Sequence, residues 1–314
     1  MVCSYVDSPP VIVIGGPTGS GKTSASLELA KQIDGEIVSA DSMQIYKYLD
    51  VGTAKATPEE QSLVRHHLID VKEPWERFSV ADYQAAALAA IADIRDRGKW
   101  AIVCGGTGQY ISALIDGLTF VDMPFDAGLR DELSIQASNP EGLADLLEEL
   151  KTVDPIALER IHPHNVKRII RAVEVHRLTG KTQTQLNKDS RAGKPTYNYQ
   201  LFIISHDRSK LYERIHRRID QMISAGLLEE TAQLMEMELP EDSTCLQAIG
   251  YKEMIPYLKG EMTLEQGKEL LARNTRRYAK RQLTWFRRQT PQGLWLNNMS
   301  PQESAETIRK YLAI

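Results

Sequence analysis

The 314-residue sequence predicts an α/β fold: a P-loop NTPase-like parallel-sheet core, an inserted helical domain and a helical C-terminal region. Three observations carry this. Apolar runs alternate with helical patterns over residues 1–120, the signature of a parallel sheet covered on both faces. The glycine-rich stretch GGPTGSGKT, residues 15–23, directly follows the apolar run VIVI. From Met123 to Pro195 the pattern changes to short helical segments with no convincing strand.

Each element has a local reason. Val11–Ile14 reads as a buried strand, and Lys22–Gln32 as the helix behind it, stopped near Gly35. Glu36–Ala40 is a second strand. Ser79 with Asp82 forms a capping box that opens a helix to about Arg97, ended by Gly98. Trp100–Cys104 is a third strand and runs into a second glycine-rich loop, GGTGQY. In the insertion, helical patterns cover Pro140–Leu150, Pro155–Arg160 and Asn165–Thr179. The segment Gly180–Pro195 is polar and reads as a linker or mobile loop. Tyr199–Ser205 returns as a strand, followed by a helix from Arg208 to Ser224. The remainder is helical, with a long helix from about Thr263 to Arg288 halted by Pro291. Leu294–Leu296 is expected to close a sheet edge, and Ser300 with Glu303 caps a last helix that has Pro301 at its first position. The expected division is a core of residues 1–122 and 197–314 around an insertion of residues 123–196.

Composition narrows the function. Apolar content of 42% and charged content of 25% are those of an ordinary globular chain. No apolar run approaches the ~20 residues that span a bilayer, so no membrane partner is expected. The N-terminus has neither a basic nor an apolar leader segment. Cys3, Cys104 and Cys245 are odd in number and far apart, which fits a reduced, cytoplasmic protein without a disulfide framework. The net charge is −4, yet residues 273–288, RNTRRYAKRQLTWFRR, carry seven Arg or Lys and no acid. Arg273, Arg277, Lys280, Arg281 and Arg288 fall at helical spacing, with Tyr278 and Trp285 seven apart. A solvated helix face is one reading of this run; RNA phosphate binding is favoured.

Residues 16–23 fit G-x-x-x-x-G-K-[ST] between a strand and a helix. Backbone N–H groups of such a loop turn onto phosphate oxygens, and the helix N-terminus adds positive potential. Lys22 supplies a point charge and Thr23 a hydroxyl within reach of Mg²⁺. The motif implies a di- or triphosphate without naming the molecule. Asp41 follows the second strand and should face this loop, where it would bind Mg²⁺ through water or take a proton from a nucleophile. The third strand ends in CGGTGQY rather than in an acid, which argues against a hydrolysing ATPase; Thr107 offers a hydroxyl at that rim. His66 and His67 are adjacent and lack partners at ligand spacing, so they read as structural.

Taken together, GPTGSGKT (16–23), SADSMQIY (39–46), GGTGQY (105–110), NVKRIIRAVEV (165–175), QAIGYK (247–252) and KRQLTWFR (280–287) resemble one family over essentially the whole chain: the tRNA dimethylallyltransferases, or tRNA isopentenyltransferases. The absence of a C-terminal zinc-finger extension resembles the bacterial form. The resemblance implies transfer of a dimethylallyl group from dimethylallyl diphosphate to N6 of adenosine 37 of tRNA, with Mg²⁺ as cofactor. It implies that Gly16, Pro17, Thr18, Gly19, Ser20, Gly21, Lys22, Thr23 and Arg218 bind the diphosphate. Asp41 would be the base and Thr107 would line the reaction channel. Ser42, Met43 and Gln44 would hold the target adenine with Asp41. Contacts to tRNA are implied for Arg130; for Lys167, Arg168, Ile169, Ile170 and Arg171; and for Gln247, Ala248, Ile249, Gly250, Tyr251 and Lys252. They are implied also for Lys280, Arg281, Gln282, Leu283, Thr284, Trp285, Phe286 and Arg287. Lys167, Gln247 and Lys252 depart from residues that many relatives carry there. A monomer is expected. The alternative is a P-loop small-molecule or nucleoside kinase, which would not call for a basic, aromatic C-terminal helix.

Overall fold

The computed structural model describes residues 9–120, 126–240 and 243–314; Cys3 and the expected boundary at 122/123 lie outside them. In chain order, β1 (Val11–Gly15), α1 (Lys22–Gln32), β2 (Gly35–Ser39), α2 (Pro58–Leu63), β3 (His66–His67), α3 (Val80–Asp96), β4 (Trp100–Gly105) and α4 (Gly108–Ile115) come first. Helices α5 (Ala127–Gln136), α6 (Pro140–Val153), α7 (Pro155–Arg160), α8 (Val166–Thr179) and α9 (Gln183–Asp189) follow. The chain then forms β5 (Tyr199–Ser205), α10 (Arg208–Ser224), α11 (Leu227–Glu236), α12 (Tyr251–Leu258), α13 (Leu264–Gln289), β6 (Leu294–Asn297) and α14 (Pro301–Leu312).

Two compact units result: Met1–Ile115 with Thr196–Ile314, and Asp116–Pro195. In the first, six parallel strands lie in the order β3-β2-β4-β1-β5-β6. Alternation sorts the side chains of β1 between two cores. Val11 and Val13 join Ile91 and Ile111 of α3 and α4 on one face, while Ile12 and Ile14 join Leu29 of α1 and Ile308 of α14 on the other. Burial of each such side chain contributes about 1.5–3 kcal/mol. Because β1 is central, its C-terminal end opens where the strand order reverses, the usual place for a ligand in such sheets. β6 pairs with β5 and closes the edge as expected.

Helix α13 shows how composition becomes position. Gly267, Leu271, Thr275, Ala279, Gln282 and Phe286 recur every three or four residues and are buried. The intervening Arg273, Arg277, Lys280, Arg281, Arg287 and Arg288 are exposed. One stripe therefore packs into the core and the other presents cations.

The second unit is helical, with a core that includes Leu133, Leu146, Leu150, Ile169 and Val173. One expectation is corrected here. Gly180–Pro195 is not a bare linker, since it contains α9 and a 3-10 turn over Ser190–Ala192. A capping box of Thr182 and Gln185 opens α9, and the Asp154 carboxylate accepts from Thr184 N (2.9 Å) and Thr184 Oγ1 (2.7 Å). Those bonds satisfy orphan amides that a polar sequence would otherwise leave to water. The adjacent histidines form the two-residue edge strand β3: His67 Nε2 meets Glu36 Oε2 at 2.7 Å, and His66 Nδ1 meets the Val64 carbonyl at 2.8 Å.

Candidate active site

The Gly16–Thr23 loop joins β1 to α1. Gly19 (φ 79°) and Gly21 (φ 88°) take left-handed conformations that L side chains resist, and these turn successive amides inward. Ser20 N donates to the Pro17 carbonyl (3.2 Å) and Thr18 N to Gln282 Oε1 (2.9 Å). The amides of Gly19, Gly21, Lys22 and Thr23 have no acceptor within the described residues. Four free donors at a helix N-terminus form an anion cradle.

That cradle opens into a cavity of about 360 Å³. Its wall includes Thr18, Lys22 and Thr23 from the loop, Asp41 to Gln44 from the segment after β2, Gly105 from β4 and Arg218 from α10. Gln247 to Gly250, Lys252, Tyr278, Arg281 and Gln282 complete it. Asp41 Oδ1 accepts from Met43 N at 2.9 Å, which leaves the other carboxylate oxygen without a donor among the described residues. Ser42 N donates to Thr107 Oγ1 at 3.0 Å, so the β2 and β4 loops are pinned together beside Asp41. Burial pushes the Lys22 ammonium below its ordinary value, while Cys104 and Asp41 oppose that shift. Burial likewise lowers Arg218, opposed by Asp41. Among the described residues neither cation forms an ion pair; Lys22 Nζ is 3.5 Å from the Pro17 carbonyl and Arg218 Nη2 3.3 Å from the Thr53 carbonyl. Two desolvated, unneutralised cations beside four free amides call for a multivalent anion.

The structure gathers Gly16 to Thr23, Asp41 to Gln44, Thr107 and Arg218 at one end of the sheet. Gln44 is already committed there: its side chain accepts from Ser39 Oγ (2.9 Å) and faces the Thr53 and Ala54 carbonyls. The residues expected at tRNA differ in how their side chains are placed. Gln282 (7% exposed) and Phe286 (0%) point inward, the first bridging two loops and the second packing in the sheet core. The Trp285 ring is half-buried against Gly108, where a Cβ would lie 2.4 Å from it. Tyr251 is buried with its hydroxyl 2.6 Å from Glu230 Oε1, and Ala248 and Gly250 are buried beside it. Lys280, Arg281, Thr284, Arg287 and Gln247 are exposed, whereas Lys252, Ile249 and Leu283 are half-buried. In the helical unit, Lys167 and Arg168 are exposed, Ile169 is buried and Ile170 is half-buried against that core. Arg130 there grips Glu174 through Nε (2.9 Å) and Nη2 (2.6 Å), and Arg171 reaches the same carboxylate at 2.7 Å.

Two residues gain importance from the geometry. Gln282 uses its whole carboxamide, accepting from Thr18 N and donating to the Gly106 carbonyl at 2.9 Å, and so ties the P-loop to the loop that carries Thr107. Tyr278, one turn earlier on α13, lines the cavity; burial and the nearby Asp41 push its hydroxyl well above the usual phenol range. Their i, i+4 spacing was visible in the sequence, but the face it occupies was not.

Residues 44–289 match a family model described as IPP transferase. The chain belongs to that family. A tRNA dimethylallyltransferase of Carboxydothermus hydrogenoformans is 46% identical over 301 residues, covering 96% of this chain and 95% of the relative. One from Anoxybacillus flavithermus is 48% identical over 281 residues, covering 90% and 88%. Among solved structures, the tRNA isopentenylpyrophosphate transferase of Bacillus halodurans superposes with a TM-score of 0.70 at 41% identity, covering 97% of this chain and 96% of that one. A eukaryotic dimethylallyltransferase acting on tRNA gives a TM-score of 0.80 at 27% identity, covering 96% of this chain and 78% of that one. Membership in the IPP transferase family sets the kinase alternative aside. The P-loop fold is that of the neighbours, and no helix among the described residues is long and apolar enough to cross a membrane.

Proposed function

We propose that the cavity transfers a dimethylallyl group from dimethylallyl diphosphate to N6 of adenosine 37 in tRNA, in the cytoplasm. The observation that carries this reading is the convergence of the P-loop amides, Lys22 and Arg218 with Asp41 around one cavity. The free amides, Lys22 and Arg218 would hold the diphosphate and stabilise the charge that grows on it as it leaves. Asp41, its second oxygen open to the cavity, would take the proton from the exocyclic amine. One C–N bond forms, the allylic C–O bond breaks, the diphosphate departs and the amine proton passes to the carboxylate. An adenine amine is a poor nucleophile because its lone pair is delocalised into the ring, so proton removal and an activated allylic carbon both matter. The base must leave its stack to enter the cavity. Ser42 and Met43 from the β2 loop, with Thr107 and Tyr278, would flank it, and Lys280, Arg281 and Arg287 would meet RNA phosphates.

No cluster of three or more His, Cys, Asp or Glu fit to hold a metal occurs among the described residues. Thr23 and Asp41 on one cavity wall nonetheless suit Mg²⁺, which is held largely by substrate phosphates and water. When bound there it would neutralise charge on the diphosphate. Incubating the protein with tRNA, dimethylallyl diphosphate and Mg²⁺ and weighing the RNA by mass spectrometry tests the proposal. A dimethylallyl mass increment on the anticodon-loop fragment is expected; unmodified RNA at full protein occupancy would refute it.

A further inference from the structure

A second cavity, of about 280 Å³, adjoins the P-loop and shares no wall residue with the first. Ser20 and Gly21 line it, whereas their neighbours Lys22 and Thr23 line the first. The other walls come from Ile204 and His206 at the end of β5, from Lys210 and Arg214 on α10, and from the start of α14.

Two residues of this wall, Ser20 and Ser304, are only 2% and 0% exposed, and their hydroxyls have no hydrogen-bond partner among the described residues. A buried polar atom left unpaired is destabilising, so these two favour a ligand that accepts or donates hydrogen bonds. The charges choose the sign. Ion pairs on α10 join Arg217 to Glu213 and Asp220 to Lys268; Lys210 and Arg214 make none among the described residues. Arg214 Nε donates to the Gly19 carbonyl at 2.7 Å, and His206 Nε2 sits 3.0 Å from the Ser20 carbonyl. One carboxylate, Glu303, lies on the same wall within electrostatic reach of Lys210, and both nearby carboxylates already accept hydrogen bonds. Glu303 Oε2 accepts from Ser300 N at 2.7 Å, and Asp207 Oδ2 accepts from Asn298 Nδ2 at 2.9 Å.

We infer that this cavity is a second phosphate-oxyanion site, in which Lys210 and Arg214 supply the charge and the Ser20 and Ser304 hydroxyls supply hydrogen bonds. Burial, Arg214 and Lys210 together hold the His206 imidazole below its ordinary value, and an anion beside them offsets the last two. Arg214 and His206 also hold the Gly19 and Ser20 carbonyls, so an anion drawing on Arg214 acts directly on the P-loop. The phosphate group is the recognised chemistry; it belongs either to a small free phosphate or to an RNA backbone.

The test uses the full chain and two probes. Crystals soaked in selenate locate the anion by anomalous scattering, and inorganic phosphate is titrated while the His206 imidazole is followed by NMR. Expected are a selenate peak between Lys210 and Ser304 and an upward shift of the His206 pKa at millimolar phosphate. Lys210→Gln, a change at an exposed position, should weaken the phosphate response at least ~5-fold by loss of one close charge. Ser304→Val should block it by filling the cavity. Selenate on the P-loop alone overturns the inference. So does a His206 response unchanged in Lys210→Gln, or occupancy only at molar salt, the mark of an adventitious ion only. If bound tRNA abolishes the phosphate response and Lys210→Gln flattens the salt dependence of tRNA binding, the phosphate is the RNA's. If tRNA leaves the response intact, it is a free one.

Discussion

Replacing Gln282 with Leu isolates the contact that joins the two loops of the site. Leucine has nearly the same bulk but makes neither 2.9 Å bond, leaving the Thr18 amide and the buried Gly106 carbonyl unpaired. The carbonyl costs about 1–3 kcal/mol; the amide costs less, because Thr18 is half-exposed and water can reach it. A net loss of about 2 kcal/mol follows, which lowers Tm by about 4–8 °C for a unit of this size. Activity should suffer more than stability. With the P-loop and the Gly106–Thr107 loop released from each other, a displacement of ~1 Å between donor and acceptor costs on the order of 10²-fold in kcat. Affinity for tRNA should hold, since the exposed Lys280 and Arg281 are untouched. Thermal melts, kcat and KM for each substrate, and a tRNA binding isotherm decide the matter. Weakened tRNA binding with unchanged kcat and Tm would show that Gln282 contacts RNA instead, and the reasoning would be wrong.

Asp41→Ala should lower the rate of prenyl transfer by roughly 10²–10⁴-fold through loss of the base while leaving tRNA affinity intact, as single-turnover kinetics would show; a wild-type rate would contradict the role. The double variant Lys280→Ala with Arg281→Ala should bind tRNA more weakly and reduce the slope of log affinity against log salt by about 1.5–2, as for two lost phosphate contacts; an unchanged slope would exclude them. Arg97, followed by His67, holds the Glu36 carboxyl at about 2, against burial that opposes it. A depressed carboxylate stabilises the fold above its unfolded value near 4.5, and the gain is lost as pH falls toward 2. Glu36→Gln should therefore cost about 2–3 kcal/mol at pH 7 and flatten the acid limb of stability between those values in urea melts.

Local signals made much of the fold legible. The P-loop, the strands around it and the capping boxes at Ser79 and Ser300 each declare themselves within a few residues. β3 did not, because two residues cannot show a period, and α5 did not, because its one fully buried position, Leu133, gives no stripe to read. The Thr182–Gln185 capping box was present in the segment read as a linker, but a helix with no buried residue lacks the apolar rhythm that would have supported it. For the site, residue types and their loops were readable from motif and spacing. Direction was not: whether Gln282 or Phe286 faces solvent depends on how α13 rolls against a sheet assembled from distant segments.

The Glu230 carboxylate accepts hydrogen bonds from the amides of Asp50 (2.9 Å), Val51 (2.8 Å) and Gly52 (2.9 Å), and from the Tyr251 hydroxyl. It thereby fastens the segment leading to Thr53 and Ala54, which form part of the cavity wall. This sets an order of assembly on the ribosome. The P-loop and Asp41 emerge early, but the Asp50, Val51 and Gly52 amides lack their carboxylate acceptor until Glu230 has been made, and the P-loop is not tied to the Gly106 carbonyl until Gln282 follows. A nascent chain therefore carries its phosphate cradle through most of synthesis without a completed reaction chamber, and the chamber forms only when the last helices dock.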